Sequence, residues 1–446
     1  MTNETMHIGL DDTDSPNKGC TTYIAALLIE KLQKLKVKFI DYPNLVRLNP
    51  NVPWKTRGNG ALCLRIRFDK DHREEIKEIV ISTVDEHADL HYKRTNPGIV
   101  FFQGDTIPRE VKDFSRDAIT GIVEFNHALK LLKKSQAEAV GFKKGRGIIG
   151  SLAAIGEDLT GDHTFEILAY RSPENWGTKR RIEEGSIFEM DEQTTPNTFN
   201  NIDHEVGRVL ITPGGPDPVL LGIRGESAEI VKEAYKIIQA FEPVERWVIF
   251  RTNQGTDSHL KKVYKLKDIE PYKPVIATGI VATNPRIIPR RHIIFSIEDE
   301  SGKVDCAAYE PTGFLRIAAR KLILGDQIEV YGGVRAPSKN LPTTINLEKI
   351  NVLTVMPKMA YHNPPCPKCG KNLKSMGHNK GFRCEKCGSR HIELNKVEVK
   401  VKREIAEGLY ITSCRSQRHL TKPIRRYGME KCYGSIGRLI ENWHSP

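Results

Sequence analysis

Apolar and polar positions along the chain switch between a two-residue and a 3.6-residue period, and the switches mark out its elements. His7, Ile8, Gly9 and Leu10 form a short buried-strand pattern that stops at Asp11-Asp12-Thr13-Asp14. Beyond the turn Ser15-Pro16-Asn17-Lys18-Gly19, apolar residues at Ile24, Leu27, Leu28 and Leu32 predict a helix over 21–35, with Thr21 or Thr22 as its N-cap. Residues 61–68 alternate like a strand and 74–85 repeat like a helix, so residues 1–130 read as an α/β domain. A second α/β region, 131–270, has a glycine-rich turn at 145–150, strands over 164–169, 219–223 and 247–251, and a helix over 227–241. The Pro271-Tyr272-Lys273-Pro274 stretch is a linker. Five short strand patterns follow over 275–281, 292–297, 304–309, 327–334 and 343–350, with one helical stretch over 312–322 between the third and fourth. That order predicts an OB-fold barrel over 271–357. A cysteine segment (358–392) and a basic tail (393–446) complete a multidomain α+β chain.

Composition narrows the class. With 446 residues, 39% of them hydrophobic and 28% charged, the chain is a folded protein of several domains and not a disordered or fibrous one. Its apolar runs, such as 24–29, fall far short of the ~18 residues a membrane helix needs. The polar start (Thr2, Asn3, Glu4) runs into a strand pattern, so no secretory leader is expected. A net charge of +12 favours a polyanionic partner. Nine cysteines include four in a metal pattern and five scattered at Cys20, Cys63, Cys306, Cys414 and Cys432, which suits a reducing cytoplasm better than a disulfide framework.

Cys366-Pro-Lys-Cys369 and Cys384-Glu-Lys-Cys387, each followed by glycine, are two knuckles that set four thiolates around one ion. Such a closed shell predicts structural Zn²⁺. The second constellation is Asp11, Asp12 and Asp14 at a strand end, followed by Lys18, Gly19, Thr21 and Thr22 at a helix start. Carboxylates beside a helix N-terminus suggest Mg²⁺ held between protein and phosphates; the plainer alternative is that they cap a turn. The spacing is neither that of an EF-hand nor of a Walker A loop. Gly145-x-Gly147-x-x-Gly150 matches the dinucleotide fingerprint, with Glu166 further on. Residues 139–141 make a poor preceding strand, however, and Lys143, Lys144 and Arg146 suit a phosphate-bearing partner better than a ribose. The Pro213–Pro218 stretch is a connector or a rigid mount for Asp217, and Arg57-Gly58-Asn59-Gly60, beside Trp54 and Lys55, is a turn or a mobile basic loop. Arg286, Arg290 and Arg291 in one barrel loop, Arg335 and Lys339 in another, and the run Arg415, Arg418, Lys422, Arg425 and Arg426 form a basic set that could track RNA phosphates. Tyr410, Tyr427 and Trp443 are available there for stacking.

In this order the motifs resemble the archaeal 2-agmatinylcytidine synthetases of isoleucine tRNA, the TiaS family. The resemblance runs through residues 7–14 with 20–23, 45–60, 147–156, 216–218 with 222–225, 250–257 and the cysteine knuckles. It implies a kinase-like ATP-binding domain over 1–130, a ferredoxin-like agmatine-binding domain over 131–270, an OB-fold, a zinc ribbon and a tRNA-binding tail. The implied reaction activates the 2-oxo group of the wobble cytidine in a CAU anticodon with ATP, which ends as AMP and phosphate. The primary amine of agmatine then displaces the activated oxygen, and the codon read changes from AUG to AUA. The family's autophosphorylated threonine matches Thr21, and its catalytic aspartates match Asp11, Asp12 and Asp14. Lys18, Gly19, Thr22 and Arg146 are the expected ATP contacts. Agmatine ends in a guanidinium, so its pocket should hold a carboxylate: Asp217 first, then Asp158, Asp162 and Asp257. Two other readings stay open, a non-catalytic OB-fold and zinc-ribbon nucleic-acid-binding protein and an NAD-dependent enzyme.

Overall fold

The computed structural model describes residues 3–339, 341–432 and 438–445. One twisted sheet runs through the first 252 residues. Its strands are β1 (Asn3–Asp11), β2 (Lys38–Phe39), β3 (Asn44–Arg47), β4 (Gly60–Asp69), β5 (Gly98–Gln103), β6 (Glu138–Gly141), β7 (Thr164–Arg171), β8 (Thr198–Phe199), β11 (Val219–Gly225) and β12 (Val244–Thr252); a small hairpin, β9 (Ile202–Asp203) and β10 (Arg208–Val209), stands apart. The order is β6-β5-β1-β4-β3-β12-β7-β11-β8, with β2 on β4. The parallel pairing of Asn44 with Arg251 joins the two halves.

Helices α1 (Thr21–Gln33), α2 (Arg73–His87), α6 (Glu184–Thr194) and α7 (Ala228–Ile237) cover one face; α3 (Arg109–Thr120), α4 (Phe125–Lys134) and α5 (Ile148–Gly156) cover the other. Period-two alternation in β1 decides which residue meets which layer: Met6, Ile8 and Leu10 enter the core under α1 and α2. Gly9, on the other face, lies so close to α5 that a Cβ there would stand 2.2 Å from the Ser151 carbonyl oxygen. Two expectations change here. Residues 138–141 do form a strand, a short one at the sheet edge. The glycine-rich turn does not lead to a strand but opens α5, whose residues 150–156 are all buried.

The barrel has strands β14 (Pro274–Val281), β16 (His292–Glu298), β17 (Lys303–Ala308), β18 (Gln327–Arg335) and β19 (Thr344–Thr354), with α8 (Phe314–Lys321) between β17 and β18; β13 (Lys261–Val263) and β15 (Arg286–Ile288) pair at its margins. Pairs β14–β16, β16–β17, β17–β19, β19–β18 and β18–β14 close the ring, and only β17–β19 is parallel. This is the OB-fold expected from the strand order.

The knuckles hang on a two-stranded stem in which Lys358–His362 pairs with Val397–Val401. The four sulfurs lie within 4.8 Å of one another, with closest pairs at 3.5 and 3.6 Å, near the ~3.8 Å edge of a tetrahedron built on ~2.3 Å Zn–S bonds. Gly370 and Gly388 adopt φ of +72° and +71°, which lets their N–H groups turn back onto the Cys366 and Cys384 carbonyls. The ribbon's own core is only Cys366, Leu373, Phe382 and Cys384. A core that small does not hold itself, and zinc at such sites supplies roughly 10–16 kcal/mol of folding energy. A strong chelator should therefore strip hydrogen-exchange protection from residues 366–391 while β1 and the barrel keep theirs; equal protection with and without chelator would overturn the metal-dependent ribbon. No helix among the described residues is long and apolar enough to cross a membrane.

Candidate active site

A cavity of about 990 Å³ opens where the C-terminal end of β1 meets the N-termini of α1 and α5. Asp11, Asp12 and Asp14 form one wall. Asp12 has a left-handed φ of 58°, and the turn is pinned by the following loop: Asn96 N–H donates to Asp12 Oδ2 at 3.1 Å and Thr95 Oγ1 to the Asp14 carbonyl at 2.8 Å. Helix α5 packs directly on this turn. A Cβ on Gly150 would stand 1.9 Å from Asp11 Oδ2, and one on Gly147 2.5 Å from the Asp11 carbonyl. These two glycines are thus accounted for by the close approach of helix and carboxylate. The acidic residue of the dinucleotide fingerprint, Glu166, is held by Arg224 at 2.9 Å and Arg47 at 4.0 Å, so it is not offered to a ribose. The nicotinamide reading has no support in the geometry.

Three crowded carboxylates are short of countercharge. Burial, then the charge of Asp12, holds the Asp11 carboxyl well above its ordinary range. Burial pushes Asp12 up to about 7, although the backbone N–H of Asn96 and Arg146 favour its charged form. Asp14 is raised by burial too, opposed chiefly by Arg57, whose Nε lies 3.3 Å away. The N-cap of α1 is Cys20, not either threonine as expected, and no side chain caps the helix. The cause is local: the extended Cys20 places Thr21 first in the helix, and its sulfur lies 3.1 Å from Thr22 Oγ1. Thr21 Oγ1 accepts a 2.9 Å hydrogen bond from the buried Thr13 hydroxyl.

Eight lysines and arginines line the cavity against five carboxylates, a balance that suits phosphate-rich ligands. Arg146 stacks 4.1 Å from the half-exposed Trp54 ring. Arg47, Lys55, Lys93, Arg94 and Lys144 also line the wall, though none is among the expected ATP contacts. Lys18 is exposed on its turn and is not among the lining residues; Gly19 shapes the turn at φ +80°. Thr22 and Arg146 do face the cavity.

Of the four carboxylates considered for the guanidinium, Asp217 lines the cavity, paired with Arg180 at 3.2 Å and Arg57 at 3.5 Å. The other three lie elsewhere, each occupied by cations of the chain itself. Asp158 takes Lys112 at 2.6 Å, Asp162 takes Arg426 at 2.8 Å, and Asp257 takes Lys349.

The tail also departs from expectation. It is a strap latched across the second half of the sheet and not an open groove. Arg426 is fully buried on Asp162, Glu226 and the Gly255 carbonyl, so it cannot touch RNA. Arg415 pairs with Asp203 at 2.7 Å, Lys422 with Glu430 at 2.9 Å and Arg425 with Thr195 at 3.0 Å. Trp443 is buried against Phe39 and Tyr42 and cannot stack on a base. Arg290 and Arg291 are exposed, whereas Arg335 and Arg418 face a second cavity. The strap also delivers His419, which the sequence hid within a basic run. Its Nδ1 lies 2.9 Å from Gln254 Oε1, and burial together with Arg47 and Arg224 holds the imidazole neutral.

Comparison with known proteins gives this arrangement its family. Residues 7–144 match the model described as the TiaS TCKD domain, 145–259 the TiaS FLD domain and 363–405 the TiaS C-terminal zinc ribbon domain. The isoleucine-tRNA 2-agmatinylcytidine synthetase TiaS of Methanocaldococcus jannaschii is 44% identical over 427 residues, 94% of this chain and 98% of that protein. The chain belongs to the TiaS family. The synthetase of Pyrococcus horikoshii is also 44% identical, across 94% of this chain and 96% of its own. Among solved structures, a complex of TiaS with its isoleucine tRNA and ATP superposes with a TM-score of 0.85 at 39% identity. A complex of TiaS with that tRNA, AMPCPP and agmatine superposes with 0.83 at 37%; each covers 95% of this chain and 97% of its own. The TiaS TCKD and FLD matches meet at residue 145, one turn before α5 packs back onto Asp11.

Proposed function

We propose that the protein is an ATP-dependent tRNA-modifying enzyme. It activates the 2-oxo group of the wobble cytidine in the CAU anticodon of isoleucine tRNA and conjugates agmatine there to form 2-agmatinylcytidine, so that the tRNA reads AUA in place of AUG. What carries the reading is kinship along nearly the whole chain to synthetases of that name, joined to a cavity that pairs an acidic turn with a surplus of cations.

The cytosine oxygen is a poor leaving group and must be phosphorylated first. Phosphoryl transfer depends on positioning and charge neutralisation more than on covalent chemistry. Asp11, Asp12 and Asp14 would hold Mg²⁺ together with phosphate oxygens, and the ion would offset the burial and mutual repulsion that raise these carboxyls. Arg146 and Arg57 bracket the turn and orient the phosphates. Thr21, at the uncapped start of α1, is placed where helix N–H groups stabilise a phosphorylated hydroxyl. The amine of agmatine then attacks C2 of the activated base and gives up a proton, and the original oxygen leaves as phosphate; the second phosphoryl group passes by way of Thr21 to water, so that ATP ends as AMP and two phosphates. Asp217 is the carboxylate we assign to the guanidinium, with Arg57 drawn off towards phosphate. A non-catalytic nucleic-acid binder would leave the buried acidic turn without a use.

Incubation of the protein with ATP, labelled agmatine and isoleucine tRNA bearing a CAU anticodon should place label in the tRNA and release AMP. Tight tRNA binding with neither label nor AMP would overturn the enzymatic reading.

A further inference from the structure

A second cavity, of about 620 Å³, lies beside the first and shares with it the wall made by Arg47, Lys55, Gly58 and His419. Its far wall is the barrel, through Val334, Arg335 and Asn346, and its floor is the strap at 417–420. Four side-chain cations line it, Arg47, Lys55, Arg335 and Arg418, with no carboxylate among the lining residues. The loop meets the barrel here at close range: a Cβ on Gly333 would stand 2.1 Å from Asn51 Oδ1, which accepts from Arg418. Tyr272, in a left-handed conformation at φ 67°, is the aromatic residue of the wall.

Arg47 and Arg418 each have a carboxylate behind the wall, Glu166 at 4.0 Å and Glu348 at 3.8 Å, but every charge that lines the chamber is positive, which disfavours agmatine, a dication, and selects an anion. Its volume suits one nucleotide. Its position is between the OB-fold barrel and the reaction cavity, with lining residues from both. A base splayed from a single-stranded loop stacks on an aromatic ring while its phosphates meet arginine and lysine. We propose that this second cavity seats a nucleotide adjoining the target cytidine, with its phosphates on Arg335, Arg418, Arg47 and Lys55 and its base beside Tyr272. The proposal rests on the tRNA reading above and assigns a subsite to it. The strap and the barrel thereby fix the register of the RNA, so that only one base enters the reaction cavity.

Arg335→Gln removes one positive charge from the cavity and Asn51→Asp adds one negative charge, so each lowers its net charge by one unit, the second without changing the size of the side chain. In the zinc-loaded full-length protein, each should raise the Kd for tRNA roughly tenfold at physiological salt and flatten the dependence of log K on log salt by about 0.7. ATP affinity should keep its wild-type value. A tRNA carrying a photo-crosslinkable nucleoside on either side of the target cytidine should attach within residues 48–55, 272, 334–335 or 417–420. Wild-type tRNA affinity in both variants, or crosslinks confined to the zinc ribbon, would overturn the subsite and leave the enzymatic reading standing. A raised KM for ATP with unchanged tRNA affinity would make the cavity a nucleoside-triphosphate site and overturn it too. Wild-type protein that neither binds nor modifies tRNA would overturn the underlying function.

Discussion

Asp12→Asn is expected to fold, to be more stable than the wild type above pH 7 when divalent ions are absent, and to modify tRNA about 10²- to 10³-fold more slowly. The reason is the cost of holding three carboxylates in one buried turn. Burial pushes the Asp12 carboxyl up to about 7, whereas in the unfolded chain it titrates near 4. Between these values the folded protein keeps a proton that the unfolded chain has lost. The stability contributed by the protonated group is therefore complete below about pH 4 and lost as pH rises towards 7. Asparagine never ionises, so the variant escapes that loss, on the order of a few kcal/mol. The same charge is what Mg²⁺ and the phosphates require, so the stabilised protein is a poor catalyst. Thermal melts from pH 5 to 9 with chelator, repeated with Mg²⁺, check the first half. The wild type should lose stability with rising pH in chelator and recover it with Mg²⁺, while the variant, which keeps Asp11 and Asp14, should lose less in chelator and recover less with Mg²⁺. Wild-type turnover by Asp12→Asn would remove this residue from the active site.

The parts of the site that depend on local signals were legible in the sequence. The strand, acidic turn and helix at 3–33 show in period, although the N-cap falls on Cys20 and not on a threonine, and the knuckles show in spacing. The barrel shows in five strands with a helix in the telling interval. Helix α5 was hidden because all of it but Ile149 is buried: Ile148-Ile-Gly-Ser-Leu-Ala-Ala-Ile-Gly156 has no polar face to reveal a 3.6-residue period. Helix α3 did carry a signal, with Val111, Phe114, Ser115, Ala118 and Ile119 at helical spacing behind Pro108, yet it is missing from the elements expected over 1–130. Non-local pairings left no trace at all. Nothing near Asn44 announces that it will lie beside Arg251 in one sheet, and nothing near His419 announces that it will reach Gln254 and Arg224. The basic tail misled for a related reason. Charge density is read from sequence, but the partners of each charge are set by tertiary contacts, and Arg415, Lys422 and Arg426 find theirs inside the molecule.

Arg426 is where that internal pairing can be tested with the largest structural effect. Its guanidinium is fully buried and meets Glu226 at 2.5 Å, Asp162 at 2.8 Å and the Gly255 carbonyl at 2.6 Å. Arg426→Met keeps much of the volume but leaves Glu226 and Asp162 only Lys431 at 3.2 Å and Lys422 at 3.8 Å, a loss at the lower end of the about 3–5 kcal/mol for a buried pair broken on one side. The strap has few other buried anchors between 415 and 431, so the loss should appear there as local opening. Hydrogen exchange of residues 415–431 should accelerate about a hundredfold or more, while β1 and the barrel core stay protected. Because the strap carries His419 and Arg418, both cavities lose a wall, and tRNA modification should fall with it. Adding Glu226→Gln to Arg426→Met removes one of the two carboxylates that have lost their main partner, leaving Lys431 on the His163 carbonyl, and should restore part of the protection, a coupling expected of residues in contact. Unchanged exchange in the strap of Arg426→Met would mean that the C-terminal segment is held by Trp443 and its neighbours alone, and that the buried arginine is not its latch.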